Sequence, residues 1–343
     1  MKKLSICIPT YNRAGHLQNC LRSIALNAGR SRAAVEICVS DNCSPDETEE
    51  AVRRAAVDMD IRYHRNARNI GIPGNFLNVV GMATGEFAWL LGDDDLVLPD
   101  TLLKLLATLD AHPDADFFYV NSYHLSTSHV LSFPQPFDTA NLPRQMLRFS
   151  SWPTSGELPF FELIDPRRSF DFLGGMFLSV FRRSRWQSYV GVLDPQAIGD
   201  SRTFSHFDNT FPHVKIFAAA FANSRAFFHA EPLSVCLTGA REWAPMYPLV
   251  KSVRLVEALQ EYRKHGLSFG RYWRCRNFAL KNFIPDLVSM FVHRDRSGFE
   301  YVSPFKLLMA NCLYPNFYVS VLTFAVRKTL LIPGKLRERF GGQ

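Results

Sequence analysis

Zinc-finger cysteine spacing is missing from this sequence of 343 residues, which has seven cysteines and no C-x-x-C pair. The number of cysteines is odd, and Cys7, Cys20 and Cys38 stand in apolar surroundings. These features exclude a zinc-finger module and a disulfide framework, and they predict reduced core thiols in a cytoplasmic protein. The apolar run after the N-terminus ends at Pro9, so we expect a first strand there and not a signal peptide.

A long uninterrupted apolar run is also missing. The strongly apolar stretch 305–333 contains Asn311, Pro315, Asn316, Arg327 and Lys328. A membrane-spanning helix needs roughly 20 predominantly apolar residues, and this stretch falls short of that. Basic residues flank its helical pattern, which is typical of an amphipathic surface lying on anionic lipid. The alternative is a helical cap that packs its apolar face on the rest of the chain.

Acidic residues are outnumbered by basic ones: the formal net charge is +7 and the isoelectric point is near 9.1. This balance favours an anionic partner, either nucleic acid, a phosphorylated small molecule or an acidic membrane face. Nucleic acid is the weakest of these, because the basic residues cluster beside apolar helices and form no aromatic-basic face. We therefore predict no nucleic-acid partner.

The first 125 residues alternate short apolar runs with helical patterns. The strand-like runs are 4–8, 35–39, 61–64, 87–91 and 117–120. Such alternation predicts a parallel sheet with right-handed crossovers. After the irregular stretch 131–169, regular structure is expected again as strands at 172–180 and 226–229, which flank a helix over 209–221.

Polar residues follow four of these runs: Pro9 to Arg13, Asp41 and Asn42, Asn66 to Gly71, and Gly92 to Asp95. In parallel sheets, ligands bind beyond the carboxyl ends of the strands. We therefore expect these four loops to converge on one crevice.

The three consecutive carboxylates Asp93, Asp94 and Asp95 need compensation, because close like charges repel one another. Oxygen ligands suit Mg²⁺ or Mn²⁺, above all where a substrate diphosphate supplies further oxygens. The simpler alternative is an acidic, solvated turn before the next helix. Asp41 and Asn69 also have a plain interpretation, as turn residues.

Four motifs in this order are specific together: IPTYNR (8–13), VSDNCSPD (39–46), RNARNIGIPGNF (65–76) and GEFAWLLGDDD (85–95). They resemble the family 2 glycosyltransferases, and within that family the abequosyltransferase-like branch of O-antigen and surface-polysaccharide enzymes. The resemblance implies an α/β fold of the GT-A type, with a Rossmann-like, mostly parallel sheet, flanking helices and a C-terminal helical appendage. With the helical and basic pattern of the last third, we divide the chain into a transferase domain, 1–240, and a helical, basic, membrane-associating region, 241–343. The domain has a donor half, 1–125, and an acceptor half, 131–240.

The resemblance also implies roles for individual residues. The nucleotide-sugar donor is bound by Pro9, Thr10, Tyr11, Arg13, Asp41, Asn69 and Asp93. Asp94 is the favoured metal ligand and Asp95 the second, with Mg²⁺ or Mn²⁺ as the metal and Asp93 facing the ribose. Many family members carry an acid where this chain has Gly92, which departs from their D-x-D-D pattern.

Sugar transfer needs a general base that takes the proton of the acceptor hydroxyl. In the family an acid that opens a helix has this role, and Asp208 matches it here, although Phe207 replaces the expected Glu. The alternatives are that Asp208 is a simple N-cap and that Asp200 is the base. Gly174, Gly175 and His206 are expected on the acceptor side.

The predicted function is a metal-dependent glycosyltransferase of surface-polysaccharide or O-antigen synthesis. The resemblance favours inversion. A nucleotide-diphosphosugar is the donor and a saccharide, linked to a polyprenyl diphosphate, is the acceptor. The enzyme is expected in the cytoplasm, peripheral on the inner face of the membrane.

Two alternatives stay open. A sugar nucleotidyltransferase would carry a Gly-rich basic loop after the first strand, which IPTYNRAGH lacks, and a membrane adaptor would bind nucleotide without turnover.

Overall fold

One ten-stranded sheet organises the protein, as a computed structural model shows for residues 2–31, 33–57, 59–239 and 242–326. The strands are β1 (Leu4–Thr10), β2 (Val35–Asp41), β3 (Ile61–Arg65), β4 (Phe87–Leu90), β5 (Leu96–Val97), β6 (Ala115–Ser126), β7 (Leu147–Arg148), β8 (Gly156–Pro159), β9 (Ser179–Arg182) and β10 (Arg225–Thr238). β1, β2 and β4 are fully buried. Their continuous apolar sequences are typical of strands covered on both faces.

The sheet order is β3-β2-β1-β4-β9-β6-β10-β5, with β7 and β8 beside β6 and β10. β1 pairs in parallel with β2 and β4, and β6 pairs in parallel with β10. β9 runs antiparallel between β4 and β6 and so joins the two parallel parts. The predicted mostly parallel α/β sheet is confirmed.

Helices cover the sheet and continue beyond it. They are α1 (Ala14–Ala28), α2 (Thr48–Ala55), α3 (Gly71–Met82), α4 (Thr101–Ala111), α5 (Thr127–Leu131), α6 (Arg183–Tyr189), α7 (Pro195–Ile198), α8 (Phe207–Thr210), α9 (Pro212–Ala220), α10 (Tyr247–Leu249), α11 (Leu255–Lys264), α12 (Phe269–Ala279), α13 (Phe283–Val292) and α14 (Pro304–Asn311). The chain is helical again over 315–326. In α1 the helical repeat places Leu17, Leu21 and Ile24 in the core.

Two predicted elements differ from the structure. The strand expected over 172–180 begins only at Ser179, because Phe172 and Leu173 adopt left-handed backbone angles and the chain turns before β9. The helix expected over 209–221 is divided into α8 and α9. Pro212 lies at this break, where it has no N–H to donate to the preceding turn.

The helices after residue 242 share the main core with the sheet. Leu249, Leu259 and Met290 belong to that core, and the Tyr262 hydroxyl donates to the carbonyl of Phe172. A smaller core forms around Leu280, Phe283 and Tyr314. Within the described residues, no helix combines the length and apolarity that crossing a membrane requires. Residues 327–343, including the predicted basic end of the chain, lie outside the described residues.

Candidate functional site

A cavity of about 400 Å³ opens at the carboxyl ends of β1 and β4. Nine of the predicted site residues line it: Pro9, Thr10, Tyr11, Arg13, Asp93, Asp94, Asp95, Gly174 and Gly175. The parallel pairing of β1 with β4 brings the first and the last of the predicted loops together. The cavity therefore joins the donor-side loops to the acceptor half.

The acidic loop after β4 is tied to the loop after β1. The Thr10 hydroxyl donates to Asp93 Oδ2 across 2.8 Å, and Arg13 Nη1 lies 3.2 Å from Asp93 Oδ1 and 3.3 Å from Asp94 Oδ2. Burial, together with the neighbouring Asp94 carboxylate, raises the pKa of Asp93 to about 7. One guanidinium nitrogen thus lies between two carboxylates that repel each other.

Gly92 closes the acidic loop on itself. Its N–H donates to Asp95 Oδ2 at 3.0 Å. A Cβ atom at position 92 would lie 2.8 Å from Asp95 Oδ2 and 2.9 Å from Asp94 Oδ1. An acidic residue at position 92 would therefore displace these carboxylates, which gives a physical reason for glycine here. Asp95 uses this oxygen within the loop, and its role as a second metal ligand stays a prediction.

The donor set of this loop fits a divalent cation that a diphosphate helps to hold. Among the residues that the structure describes, no three His, Cys, Asp or Glu side chains converge as a metal cluster. Asp93 and Asp94 do converge, on the cationic nitrogen of Arg13. Mg²⁺ typically binds one or two carboxylates and completes its shell with substrate phosphates and water. Asp93 and Asp94, which here share the Arg13 guanidinium, can supply the one or two carboxylates that Mg²⁺ takes from a protein.

Asp41 and Asn69 do not line the cavity. Asp41 Oδ1 accepts from the Ser44 N–H and Oδ2 from the Tyr63 hydroxyl, both at 2.8 Å, and its side chain is 1% exposed. Asn69 Oδ1 accepts from the Asn42 amide. Both residues hold the shapes of their loops, and their contact with the nucleoside stays a prediction.

Asp208, the predicted base, also lies outside the cavity lining. Its Oδ2 accepts from the Asp194 N–H at 2.7 Å, and Lys215 Nζ lies 3.0 and 2.7 Å from its two oxygens. The side chain is 9% exposed. Both oxygens are thus engaged within the protein, and the role of Asp208 as the base stays a prediction.

The alternative base and its histidine neighbour lie outside the cavity lining as well. Asp200 is bound by Arg202, which holds the pKa of Asp200 well below its usual range. His206 Nε2 lies 3.1 Å from Asp200 Oδ2. The structure thus brings Asp200 and His206 together, and the role of His206 on the acceptor side stays a prediction.

Three further cavity residues were missed from the sequence: Asp171 and His213 of the acceptor half, and Glu242 just after it. Asp171 Oδ2 accepts from the Gly175 N–H at 2.7 Å, which orders the loop before β9. His213 is buried, its Nε2 donates to the Gly174 carbonyl, and burial lowers its pKa to about 4. The position of Asp171 just before the glycine pair was an available signal. Glu242 had none.

Comparison with known proteins agrees with this geometry. Residues 5–156 match the family model described as glycosyl transferase family 2. Abequosyltransferase RfbV of Salmonella typhimurium is 31% identical over 245 residues, which are 68% of this chain and 66% of that protein. The poly(ribitol-phosphate) β-N-acetylglucosaminyltransferase TarS of Staphylococcus aureus is 31% identical over 113 residues, 33% of this chain and 20% of TarS. The chain thus spans just under two thirds of the first relative and a fifth of the second.

Solved structures share the fold. S. aureus TarS 1–349 in complex with UDP superposes with a TM-score of 0.55 at 16% identity, over 89% of this chain and 76% of that one. The mannosyltransferase PcManGT of Pyrobaculum calidifontis, in complex with GDP-Man and Mn²⁺, has a TM-score of 0.51 at 16% identity, over 99% of this chain and 88% of that one.

The sheet and the acidic loop at its edge define a protein of the GT-A class. The chain belongs to glycosyl transferase family 2, in its abequosyltransferase-like branch. The predicted resemblance is thereby confirmed.

Proposed function

We propose that this protein transfers a sugar from a nucleotide-diphosphosugar to a hydroxyl of a saccharide in surface-polysaccharide synthesis. One observation carries the proposal: Asp93 and Asp94 converge on Arg13 at the cavity formed by the ends of β1 and β4. This arrangement suits a diphosphate and its cation. The kinship with an abequosyltransferase supports a polysaccharide product, and the UDP and GDP-Man complexes of the structural neighbours support a nucleotide-linked donor.

In this proposal Asp94 and Asp93 would hold Mg²⁺ or Mn²⁺ together with the donor diphosphate, which gives Asp93 a metal-binding role in place of the ribose contact expected from the resemblance. The bound cation would stabilise the negative charge of the departing diphosphate. Thr10 orients Asp93 through its hydroxyl. Arg13 lines the same cavity, so its guanidinium would be placed to pair with the diphosphate where a cation held the two carboxylates.

The base for an inverting displacement must line the cavity, and Glu242 is the better candidate on this ground. Its carboxylate faces the cavity and is exposed. Among the described residues it makes no hydrogen bond or close ion pair, although its charge acts on Arg13 and contributes to the raised pKa of that guanidinium, whereas Asp171 uses both oxygens within its own loop. A carboxylate without a competing donor can accept the proton of an acceptor hydroxyl. Inversion itself rests on the family resemblance.

A membrane-bound acceptor, such as a polyprenyl-diphosphate-linked saccharide, would explain the apolar surface of the last helices. Phe305, Leu313 and Leu322 are 72%, 86% and 65% exposed. Large apolar side chains grouped on the outside of a protein mark a surface for association. Together with the basic charge of the chain, they support a peripheral site on the inner membrane face.

The proposal is tested by calorimetric titration of UDP, CDP, GDP and dTDP with Mn²⁺ and again with EDTA. We expect one diphosphate to bind only with the metal, and its affinity to fall at least a hundredfold in Asp94→Ala. The matched control is Asp114→Ala, an exposed acid outside the cavity lining, which should bind like the wild type. If folded wild-type protein binds none of the four, the proposal is wrong.

A further inference from the structure

The cavity is lined by two groups of aromatic rings that have no role in the proposed function as described above. In the first, the rings of His124 and Phe149 lie 3.5 Å apart at 20°, and Phe149 and Phe170 lie 5.7 Å apart at 11°. All three line the cavity, and Phe170 is 36% exposed. They form one wall of near-parallel rings.

The second group stands on the segment after β10. Trp243 and Tyr247 are stacked at 6.2 Å and 22°, and Phe204 packs edge-on against Trp243 at 5.2 Å. These residues line the same cavity, and Tyr247 is 48% exposed. Phe170, Phe204, Trp243 and Tyr247 all lie outside residues 5–156, so the family model assigns none of them.

Some of these rings differ from those of the core in their exposure. In the core, Phe117 meets Phe160 at 74° and Phe217 at 81°, and all three rings are buried. Edge-to-face contacts of this kind are typical of packed interiors. Phe170 and Tyr247, by contrast, are partly open and line the cavity, so part of their apolar ring surface can meet what enters.

Polar groups border these faces. Asp171, Thr210 and Glu242 line the cavity along with the rings. Ligand sites combine apolar walls with a few placed polar groups that fix orientation. A pyranose ring has this dual chemistry, because its C–H groups form an apolar face and its hydroxyls project from the rim. A lipid chain would leave the polar groups without partners, at a cost in free energy.

We propose that the Trp243–Tyr247 pair and the Phe149–Phe170 pair form a saccharide subsite that stacks the acceptor sugar. This inference rests on the proposed function, because it takes the acidic loop as the donor side. The acidic loop occupies one side of the cavity and must face the diphosphate, which leaves the aromatic walls for the second substrate. Glu242 directly precedes Trp243, so a stacked sugar would place a hydroxyl beside that carboxylate.

The test uses the full chain and a panel of methyl α- and β-pyranosides of glucose, galactose, mannose and rhamnose. Saturation-transfer NMR spectra are recorded in the presence of Mg²⁺, with UDP, CDP, GDP and dTDP added one at a time. We expect at least one pyranoside to bind, with the strongest transfer to the C–H protons of one ring face. Trp243→Ala should weaken that binding about tenfold, the scale of one aromatic stacking contact, and Phe170→Ala should weaken it too.

The matched control is Trp273→Ala. Trp273 is 38% exposed and stacks on Tyr314 at 5.8 Å and 29°, but it does not line the cavity. This variant should bind the pyranoside like the wild type, and Trp243→Phe should restore most of the affinity that Trp243→Ala loses.

Three results would overturn the inference: no pyranoside binds wild-type protein, Trp243→Ala and Phe170→Ala bind it normally, or Trp243→Ala loses nucleotide affinity instead. The last result would assign the rings to a nucleobase. If the wild type shows no metal-dependent nucleotide binding, that result counts against the proposed function alone, because the pyranoside signal is measured separately.

Discussion

Lys215 Nζ lies 3.0 and 2.7 Å from the two carboxylate oxygens of Asp208, inside the acceptor half. Breaking a largely buried ion pair by removing one charge leaves the other uncompensated. We therefore expect Asp208→Asn to lower the free energy of unfolding by about 3 kcal/mol and to lower turnover of the nucleotide sugar less than tenfold. Glu242→Gln should have the opposite profile, with unchanged stability and a turnover about a hundredfold lower.

Urea unfolding and the rate of nucleotide-sugar turnover, by transfer or hydrolysis, measure the two effects. A hundredfold loss of turnover in Asp208→Asn without loss of stability would return the role of base to Asp208.

Arg13 and a divalent cation should compete for the same carboxylates. A cation that binds without nucleotide must first displace the guanidinium from Asp93 and Asp94, to which it makes charge-assisted contacts. We expect Arg13→Gln to bind Mn²⁺ alone about tenfold more tightly than the wild type, since each 1.4 kcal/mol changes affinity tenfold. Its affinity for the nucleotide diphosphate should fall. Calorimetry of each ligand measures both.

The control for this competition is Arg65→Gln, because Arg65 contacts Asp41 outside the cavity. Equal Mn²⁺ affinity in Arg13→Gln and the wild type would show that Arg13 does not occupy the cation position.

Stability should fall in mild acid because of His213. Burial lowers its pKa to about 4, below the unfolded value of about 6.5. Between these values the unfolded chain binds the proton and the folded one does not, so the stability contribution is complete above pH 6.5 and is lost as the pH falls towards 4. From pH 7 to 5 the loss is about 2 kcal/mol. His213→Phe should show a smaller fall over this interval.

Unfolding in urea at pH 7 and pH 5 measures this difference, with His64→Phe, an exposed site on β3, as the control. Identical pH dependence in His213→Phe and the wild type would assign the acid sensitivity to other groups.

The exposed apolar residues of the last helices should bind membranes. Phe305→Glu combined with Leu313→Glu removes two of the most exposed apolar side chains of that region and adds charges that anionic lipid repels. We expect sedimentation with phosphatidylglycerol-rich vesicles to fall at least tenfold, because burial of each apolar side chain contributes to such binding.

The matched control is Leu131→Glu with Leu147→Glu, since both leucines are also exposed but lie in the acceptor half. If both double variants sediment like the wild type, the last helices do not bind lipid.

Much of the donor side was predictable because local sequence and strand order are enough to place it. The apolar runs 4–8 and 87–91 are typical of strands in a sheet that is covered on both faces. When these two strands pair in parallel, Thr10 and Asp93, which follow them, lie at the same edge of the sheet. The contact between these residues confirms that reasoning.

The acceptor side was less predictable, because its contacts join residues far apart in the chain. Asp208 has the sequence position of a family base, but its carboxylate is engaged by Lys215 and by the Asp194 backbone, and neither contact could be predicted from its own motif. Trp243 lies in no motif, and only the path of the chain after β10 brings it to the cavity.

By itself, the sequence determined the class of fold and the acidic loop, because hydrophobic periodicity and strand order act over short ranges. Only the tertiary structure decided which carboxylates face the cavity and which are engaged elsewhere. A side chain's partners depend on distant segments such as 242–251, and no local pattern encodes their approach.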